Sequence, residues 1–321
     1  MTKLIIQIPC FNEEKALPVT LKDLPRELPG VSSIEWLIID DGSSDRTVEV
    51  ARELGVDHIV RLIRHQGLAR GFMAGVQACI DLGADIIVNT DADNQYFAGD
   101  IPKLIQPILE GRAEIVVGAR PISQIKHFTP IKKLFQKMGS WMVRKVSQTD
   151  IEDAPSGFRA ISRDAAMRMH VFSEYTYTIE TIIQAGQKGI AIMSVPIRTN
   201  DYLRKSRLIN SIPAYLARSI NTIMRIFMTY QPLSFFRIPG LIAFGVGTLL
   251  GLRFLYFYLV TKTSSGHIQS LILAAVLLIL GGLLFIFGLV ADLISVNRKL
   301  LENVDYRIQR LDEKIKKLNQ K

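Results

Sequence analysis

Short apolar runs recur along the first two thirds of this 321-residue chain, separated by polar turns and helix-patterned stretches. Leu4–Ile8, closed by Pro9, reads as a buried strand, as do Trp36–Ile39, Ile59–Leu62, Ile86–Asn89 and Ile115–Val117. Ile190–Val195 reads as a last strand. Between them, Glu13–Leu24 (with Asn12 as its cap), Arg46–Leu54, Gly67–Leu82 and Ile101–Glu110 read as helices. In the third of these, Ala69, Gly71, Ala74 and Gly75 allow close packing. Strands alternating with helices at this spacing predict an α/β domain with a parallel sheet covered on both faces. Ligands bind such sheets beyond the carboxyl ends of the strands. Three polar motifs stand at such ends: PCFNEE, DDGSSD and DADNQ.

In the last motif Asp91 and Asp93 lie one residue apart after an apolar run. Two carboxylates on a tight strand end can face one hard cation. Mg²⁺ and Mn²⁺ take oxygen ligands, usually one or two carboxylates completed by phosphate oxygens and water. Taken alone, the pair equally suits a solvated turn, because Asp and Asn favour turns. The other two motifs at strand ends shift the balance toward a site. Neither GxGxxG nor GxxxxGK[ST] follows a strand, which disfavours a dinucleotide dehydrogenase and a P-loop NTPase.

The net charge of +9 suits nucleic acid, a membrane surface or phosphorylated substrates. Much of it is concentrated. From Arg120 to Val146 there are seven Lys and Arg residues, Lys132, Lys133 and Lys137 among them, and no Asp or Glu. Ile131, Leu134, Phe135, Met138, Trp141 and Met142 recur between them at helical spacing. Such a helix can lie at an anionic interface; it can equally pack on the domain surface. Arg204–Tyr230 repeats the pattern, with Leu208, Ile212, Leu216, Ile220, Ile223 and Phe227 forming the stripe and Pro213 starting a new helix. Glu180, in a helical stretch, reads either as a buried, paired carboxylate or as a surface one.

Two stretches are long enough to cross a bilayer, which takes about 20 apolar residues. Ile268–Ala291 is 24 residues without a charge, and Ile238–Val260 is interrupted only by Arg253. Arg253 can snorkel to headgroups or pair within the membrane. Arg225, Arg237, Arg298 and Lys299 flank the pair on one side, whereas the connector Thr261–His267 holds one Lys. The positive-inside rule places the α/β domain and both termini in the cytoplasm, with the chain integral to the plasma or inner membrane. No signal peptide is expected, because Met1-Thr2-Lys3 leads straight into a strand. Cys10 and Cys79 form no disulfide framework and no metal-ligand spacing, as suits a reducing compartment. In the tail, Leu301, Val304, Ile308, Leu311, Ile315 and Leu318 trace a short coiled-coil seam, or an amphipathic helix on the membrane or the domain. The expected divisions are 1–203 (with the basic segment 120–146), 204–234, 235–294 for the spans, and 295–321.

PCFNEE, DDGSSD, DADNQ, GAR and SGFRA, in this order, resemble the family 2 glycosyltransferases. With the two C-terminal spans the resemblance narrows to polyisoprenyl-phosphate glycosyltransferases of the dolichyl-phosphate mannose synthase type, and covers nearly the whole chain. It implies a Rossmann-like, type A glycosyltransferase domain that binds a nucleotide-sugar. It implies that Pro9, Phe11, Glu13 and Asp41 hold the nucleoside, with Ile39 beside the base. Asp91, Asp93 and Gln95, with Ala92 between, match the metal site for Mg²⁺ or Mn²⁺. Arg120 would contact donor phosphate, Asp153 lies ahead of SGFR as in the mannose synthases, and Glu180 matches a carboxylate near the acceptor. The family's S-K-L motif is here Ser206-Arg207-Leu208; Arg207 preserves the charge, and the preceding Arg204 departs from the usual offset.

The reaction so implied moves one sugar from a UDP- or GDP-sugar to a polyprenyl phosphate, undecaprenyl or dolichyl, with inversion and a divalent metal. Asp93, Asp153, Glu180 and Arg207 are the candidate catalytic residues. Lys132, Lys133, Lys137 and Arg204 would draw the lipid phosphate. The partners expected are donor, lipid acceptor and membrane, with a homo-oligomer in view and no nucleic acid. Three other readings stand beside it. The acceptor could be a different lipid; processive synthases generally carry QxxRW, which does not occur here. The chain could be a non-catalytic membrane scaffold, or a nucleotidyltransferase releasing diphosphate.

Overall fold

The computed structural model describes residues 2–121, 140–171 (apart from 142, 145 and 146), 177–200, 221–261 (apart from 222, 223 and 226) and 268–319. The chain divides into two units, Met1–Leu208 and Ile209–Lys321.

The first unit is built on a seven-stranded sheet. Its strands are β1 (Lys3–Cys10), β2 (Ser33–Asp40), β3 (His58–Arg61), β4 (Ile86–Asn89), β5 (Ile115–Ala119), β6 (Arg159–Ser162) and β7 (Ile192–Pro196), in the order β3-β2-β1-β4-β6-β5-β7. The apolar runs locate the strands, and the ladder extends several of them by up to three residues at an end. Parallel register ties Lys3–Cys10 to Ser33–Asp40 on one side and Leu4–Gln7 to Ile86–Asn89 on the other. The pleat sends alternate side chains to opposite faces. On one face Leu4, Ile6, Ile8 and Cys10 pack with helices α1 (Leu17–Asp23) and α4 (Ile101–Leu109). On the other, Gln7 and Ile39 meet helix α3 (Leu68–Asp81) so closely that a Cβ on Gly75 would lie 2.5 Å from Gln7 Oε1 and 2.6 Å from Ile39 Cδ1. Helix α2 (Thr47–Glu53) completes the β2–β3 crossover.

Two details depart from the sequence reading. The sheet is mixed, because β6 runs antiparallel to both β4 and β5. That strand is built from the SGFRA motif, too short and polar at its start to read as one. Helix α1 begins at Leu17, not Glu13, with a proline in its first turn. Asn12 is not its cap: its φ of 54° breaks the chain direction, and its side chain accepts from the Ser44 N–H at 2.8 Å. Helices α5 (Arg163–Arg168), capped by the Ser162 hydroxyl, and α6 (Thr178–Gln187) follow β6. Sequence reasoning missed α5 and located α6 through Glu180.

In the second unit, helix α7 (Pro232–Tyr256) continues into a π-turn, Phe257–Thr261, and packs on the 52-residue helix α8 (Ile268–Asn319). Both are long and apolar enough to cross a membrane, each containing an 18-residue stretch whose mean hydropathy is 1.7 in α7 and 2.9 in α8. The two helices meet through glycines. A Cβ on Gly281 would lie 2.9 Å from Gly240 O, and one on Gly247 would lie 3.1 Å from Ala274 O. Small residues of this kind let helix backbones approach where lipid provides no hydrophobic drive. Away from that contact Leu241, Ile242, Leu249, Ile272, Ile279 and Ile286 are exposed. An apolar surface of that extent suits lipid and not water. Helix α8 runs unbroken from the second apolar stretch through residues 294 and 295 into the C-terminal part.

Candidate active site

The strand order reverses between β1 and β4. The carboxyl ends of β1, β2 and β4 therefore open on one edge, and the three acidic motifs lie together there.

At the ends of β1 and β2 the backbone is tied by short polar bridges. The Asn12 N–H donates to Ser43 Oγ (2.9 Å) and the Glu13 N–H to Thr47 Oγ1 (2.8 Å). Asp41 is buried and accepts from the N–H groups of Gln66 (2.7 Å) and Gly67 (2.9 Å), with His65 Nδ1 2.8 Å away. That ring stacks on Phe11, with centroids 4.1 Å apart. Gly42, at φ 74°, lets the Asp41 turn pass under the next loop; a Cβ there would lie 2.8 Å from His65 N. Phe11, Glu13 and Asp41 thus converge at the ends of β1 and β2. Pro9 pairs in register with Ile39, whose side chain is buried against Gly75.

The end of β4 is held from beneath by a buried polar chain. Gln7 Nε2 donates to Asn89 Oδ1 (2.9 Å), and Asn89 Nδ2 donates to Gly157 O and Tyr177 Oη (both 2.9 Å). Asn89 thereby ties β4 to β1 through its amide oxygen and to Gly157, just ahead of β6, and Tyr177 through its amide nitrogen. Directly opposite it in the ladder is Arg159, fully buried, which donates to Thr181 Oγ1 (2.6 Å) and to the carbonyls of Thr178 and Ser156. Tyr177 is fixed by packing, its ring stacked on Phe72 at 3.8 Å. Burial pushes its pKa up, so its hydroxyl stays protonated.

Asp91 stands above this base. Tyr96 hydrogen-bonds its carboxylate, and the Tyr96 oxygen in turn accepts from the Gly157 N–H at 2.9 Å. A Cβ on Gly157 would lie 3.1 Å from Asp91 Oδ1, so only glycine leaves the carboxylate its present room. Burial, and then the charge of Asp93, push the Asp91 pKa up to about 7, against the opposing pull of Arg120 and Arg159. The loop beyond is clipped in place. Thr20 Oγ1 donates to Ala92 O (2.7 Å), Asn94 Nδ2 to Asp23 (2.8 Å), and the Gln95 N–H to Asp93 Oδ1 (3.3 Å). The Asn200 N–H donates to Gln95 O (2.9 Å).

A divalent cation fits this donor set. Two carboxylates placed so that burial and mutual repulsion favour a proton on one of them have an electrostatic demand that a cation meets. Among the described residues no cluster of three or more His, Cys, Asp and Glu suits a metal, so further ligands would come from substrate phosphate and water.

Arg120 closes one flank. Its Nε and Nη2 donate to the two oxygens of Asp153 at 2.6 and 3.0 Å, and its N–H to Oδ2 at 3.2 Å. Both side chains are buried. Burial works against the guanidinium charge, but Tyr96, Asp153 and Asp91 outweigh it and hold the Arg120 pKa above its ordinary value. Asp153 therefore fixes the arginine beside Asp91. Glu180 is buried in the first turn of α6. Lys132, Lys133, Lys137, Arg204 and Arg207 lie outside the described residues, as does most of the 120–146 segment.

Sequence reasoning brought Asp91, Asp93 and Asp41 to one edge, and missed Gln7, Asn89, Tyr96 and Tyr177. Asn89 and Tyr96 were legible only as neighbours of DADNQ. Tyr177 carries no local signal, because its role depends on a partner, Asn89, that is 88 residues away.

Known proteins are similar to this chain. A relative from Methanococcus voltae, named UDP-N-acetylglucosamine–dolichyl-phosphate N-acetylglucosaminyltransferase, is 32% identical over 217 residues, 60% of this chain and 83% of its own length. The undecaprenyl-phosphate mannosyltransferase of Micrococcus luteus is 25% identical over 200 residues, covering 59% of this chain and 80% of that one. The crystal structure of glucosyl-3-phosphoglycerate synthase from Mycobacterium tuberculosis, in complex with Mn²⁺, UDP and glucosyl-3-phosphoglycerate, superposes with a TM-score of 0.55 at 17% identity. It covers 71% of this chain and 80% of that one, and it shows a common fold. The model of Glycosyl transferase family 2 matches residues 5–175, more than half of the chain. The edge formed by β1, β2 and β4 thus belongs to a glycosyltransferase, and the chain is a member of glycosyl transferase family 2.

Proposed function

We propose that this enzyme transfers a single sugar from a UDP- or GDP-sugar to a polyprenyl phosphate, undecaprenyl or dolichyl, at the cytoplasmic face of the plasma or inner membrane, with inversion at the anomeric carbon. The observation that carries the reading is the Asp91 carboxylate, held by Tyr96 at the same sheet edge as Asp41 and Phe11. The acceptor class is supported by the names of the relatives and by two helices long and apolar enough to cross a membrane. An acceptor whose tail lies in the bilayer suits an enzyme anchored beside it. Basic flanks at Arg225, Arg237, Arg298 and Lys299 support a cytoplasmic catalytic domain and termini.

In this reading Pro9, Phe11, Glu13, Ile39 and Asp41 form the nucleoside end of the site. Asp91, Asp93 and Gln95, around Ala92, would hold Mg²⁺ or Mn²⁺. Bound there, the cation would neutralise charge growing on the leaving diphosphate, which is often the largest catalytic contribution. Arg120 and Arg207 supply fixed positive charge to the same group, and Lys132, Lys133, Lys137 and Arg204 draw the lipid phosphate. The acceptor oxygen is already anionic at neutral pH, so the reaction needs no strong base. It attacks the anomeric carbon, and the carbon–oxygen bond to the nucleoside diphosphate breaks with its electron pair leaving on the diphosphate. Asp153 then acts through Arg120, by orienting it, and Glu180 orients sugar or acceptor.

The test incubates the full-length protein with a polyprenyl phosphate, Mg²⁺ or Mn²⁺, and a panel of UDP- and GDP-sugars, with lipid products read by mass spectrometry. One metal-dependent lipid-linked sugar, with nucleoside diphosphate as co-product, is expected. Transfer to diacylglycerol instead, release of inorganic diphosphate, or no product from folded protein with any donor would overturn the proposal.

A further inference from the structure

The C-terminal part of α8 carries an unpartnered apolar stripe with an ordered charge pattern beside it. Set in heptads, Ile294, Leu301, Ile308 and Ile315 occupy one core position (a), and Val304, Leu311 and Leu318 the other (d), with Asn297 as the one polar core residue. All the apolar members are exposed, from Ile308 at 51% to Leu301 and Leu318 at 71%. The amino-terminal end of the stripe borders a contact made within its own unit. There Ser295 Oγ donates to Thr229 O (3.3 Å), and the Arg298 guanidinium lies 4.2 Å over the Tyr230 ring.

The residues flanking the stripe distinguish its possible occupants. In the last two heptads one flank (e) carries Asp305 and Asp312 and the other (g) Arg307 and Lys314; in the first, Arg298 stands at e and Leu300 at g. In a parallel two-stranded coil the g residue of one chain meets the e residue of the next heptad in its partner, so Arg307 faces Asp312 of a second copy, twice by symmetry. An antiparallel pair would set g against g and e against e, bringing the cations Arg307 and Lys314 together and losing the Arg307–Asp312 pair. β-branched Ile308 and Ile315 at a, with Leu311 and Leu318 at d, favour two strands. No proline or glycine follows Gly288, so α8 continues its axis past the apolar part and does not turn to lie along a membrane surface.

We propose that Ile294–Leu318 is an interaction surface for a second copy of this chain, forming a parallel two-stranded coiled coil. The parallel sense follows from the charges. It is reinforced, where it rests on the membrane reading above, by two copies crossing one bilayer in the same direction.

The native cysteines Cys10 and Cys79 are both buried, which permits a clean cross-linking test. Full-length Leu311→Cys, in membranes under mild oxidation, is expected to give a disulfide-linked dimer, and Asn303→Cys, at the outward heptad position c, is not. Arg307→Asp should weaken the dimer roughly fivefold to tenfold, by light scattering in detergent, and adding Asp312→Arg should restore it. Equal cross-linking at 303 and 311 would overturn the proposal, as would a monomer at all concentrations. Tightening by Arg307→Asp alone would show antiparallel pairing and overturn it equally. The transferase assay reads the function separately, so loss of one leaves the other standing.

Discussion

Gly157 stands so close to Asp91 that a methyl group on its α-carbon would lie 3.1 Å from Oδ1, and 3.0 Å from the Tyr177 hydroxyl. Gly157→Ala must displace one of them by a few tenths of an ångström. Sub-ångström misplacement of a reacting constellation is costly in rate and cheap in stability. The expected outcome is a kcat about tenfold to a hundredfold lower, with a thermal midpoint close to wild type.

Removing the second carboxylate tests the cation site directly. Asp93→Ala should abolish transfer while leaving the circular dichroism spectrum of the folded protein in place. Near-normal turnover would remove Asp93 from the site.

Tyr96 has two duties, one to the Gly157 N–H and one to Asp91. Tyr96→Phe leaves a buried N–H without its acceptor, which costs about 1–3 kcal/mol. It also frees the carboxylate to turn. A shifted Mn²⁺ titration midpoint, followed by activity and by calorimetry of the resting enzyme, is the expected signature. An unchanged midpoint would leave Tyr96 with a packing role alone.

Arg120 and Asp153 are buried together, so removing either strands the other. Arg120→Ala or Asp153→Ala should each cost about 3–5 kcal/mol of unfolding free energy. The double variant should cost much less than their sum. A cycle that adds without coupling would contradict the paired geometry.

Asp100 gives the domain an acid-sensitive latch. Its side chain is fully buried and bonds Arg198 and Lys103. Burial would raise its pKa, but the hydrogen bonds from Arg198 and Lys103 bring it down from 3.8 to about 2. A depressed folded-state pKa stabilises above the unfolded value, and that stability is lost as pH falls from about 4 through about 2. Both partners are half in solvent, so the contribution is about 1–2 kcal/mol. Thermal midpoints between about pH 5 and pH 2.5 should fall more steeply for wild type than for Arg198→Ala.

Much of the catalytic edge was legible because strand ends announce themselves. Ile86–Asn89 was read to the residue, and the acidic motifs after β1, β2 and β4 fell at one edge as parallel strands require. What escaped depends on pairings distant in sequence. Arg159 reads as one residue of a polar motif until the antiparallel ladder sets it opposite Asn89. Gln7 looks like an interruption in an apolar run until the neighbouring strand supplies Asn89 as its acceptor. Asn12 has the composition of a helix cap, yet its backbone takes a left-handed turn that sends its side chain to the DDGSSD loop. Local propensity could not reveal that competition.

The reversal of β6 sets how the middle of the chain can change over time. Since β5 ends and β6 begins at the same edge of the sheet, the connection between them starts and finishes beside Asp91, with Arg120 and Asp153 clasped at the neck. An excursion closed at its base can lengthen at small entropic cost, about 0.6 kcal/mol per doubling. The sheet beneath would register none of it. Between Arg120 and Asp153 the stretch is an exchangeable cassette: evolution, or an engineer, can rewrite its basic and aromatic content while Arg120, Asp153, Gly157 and the strands that present Asp91 are kept.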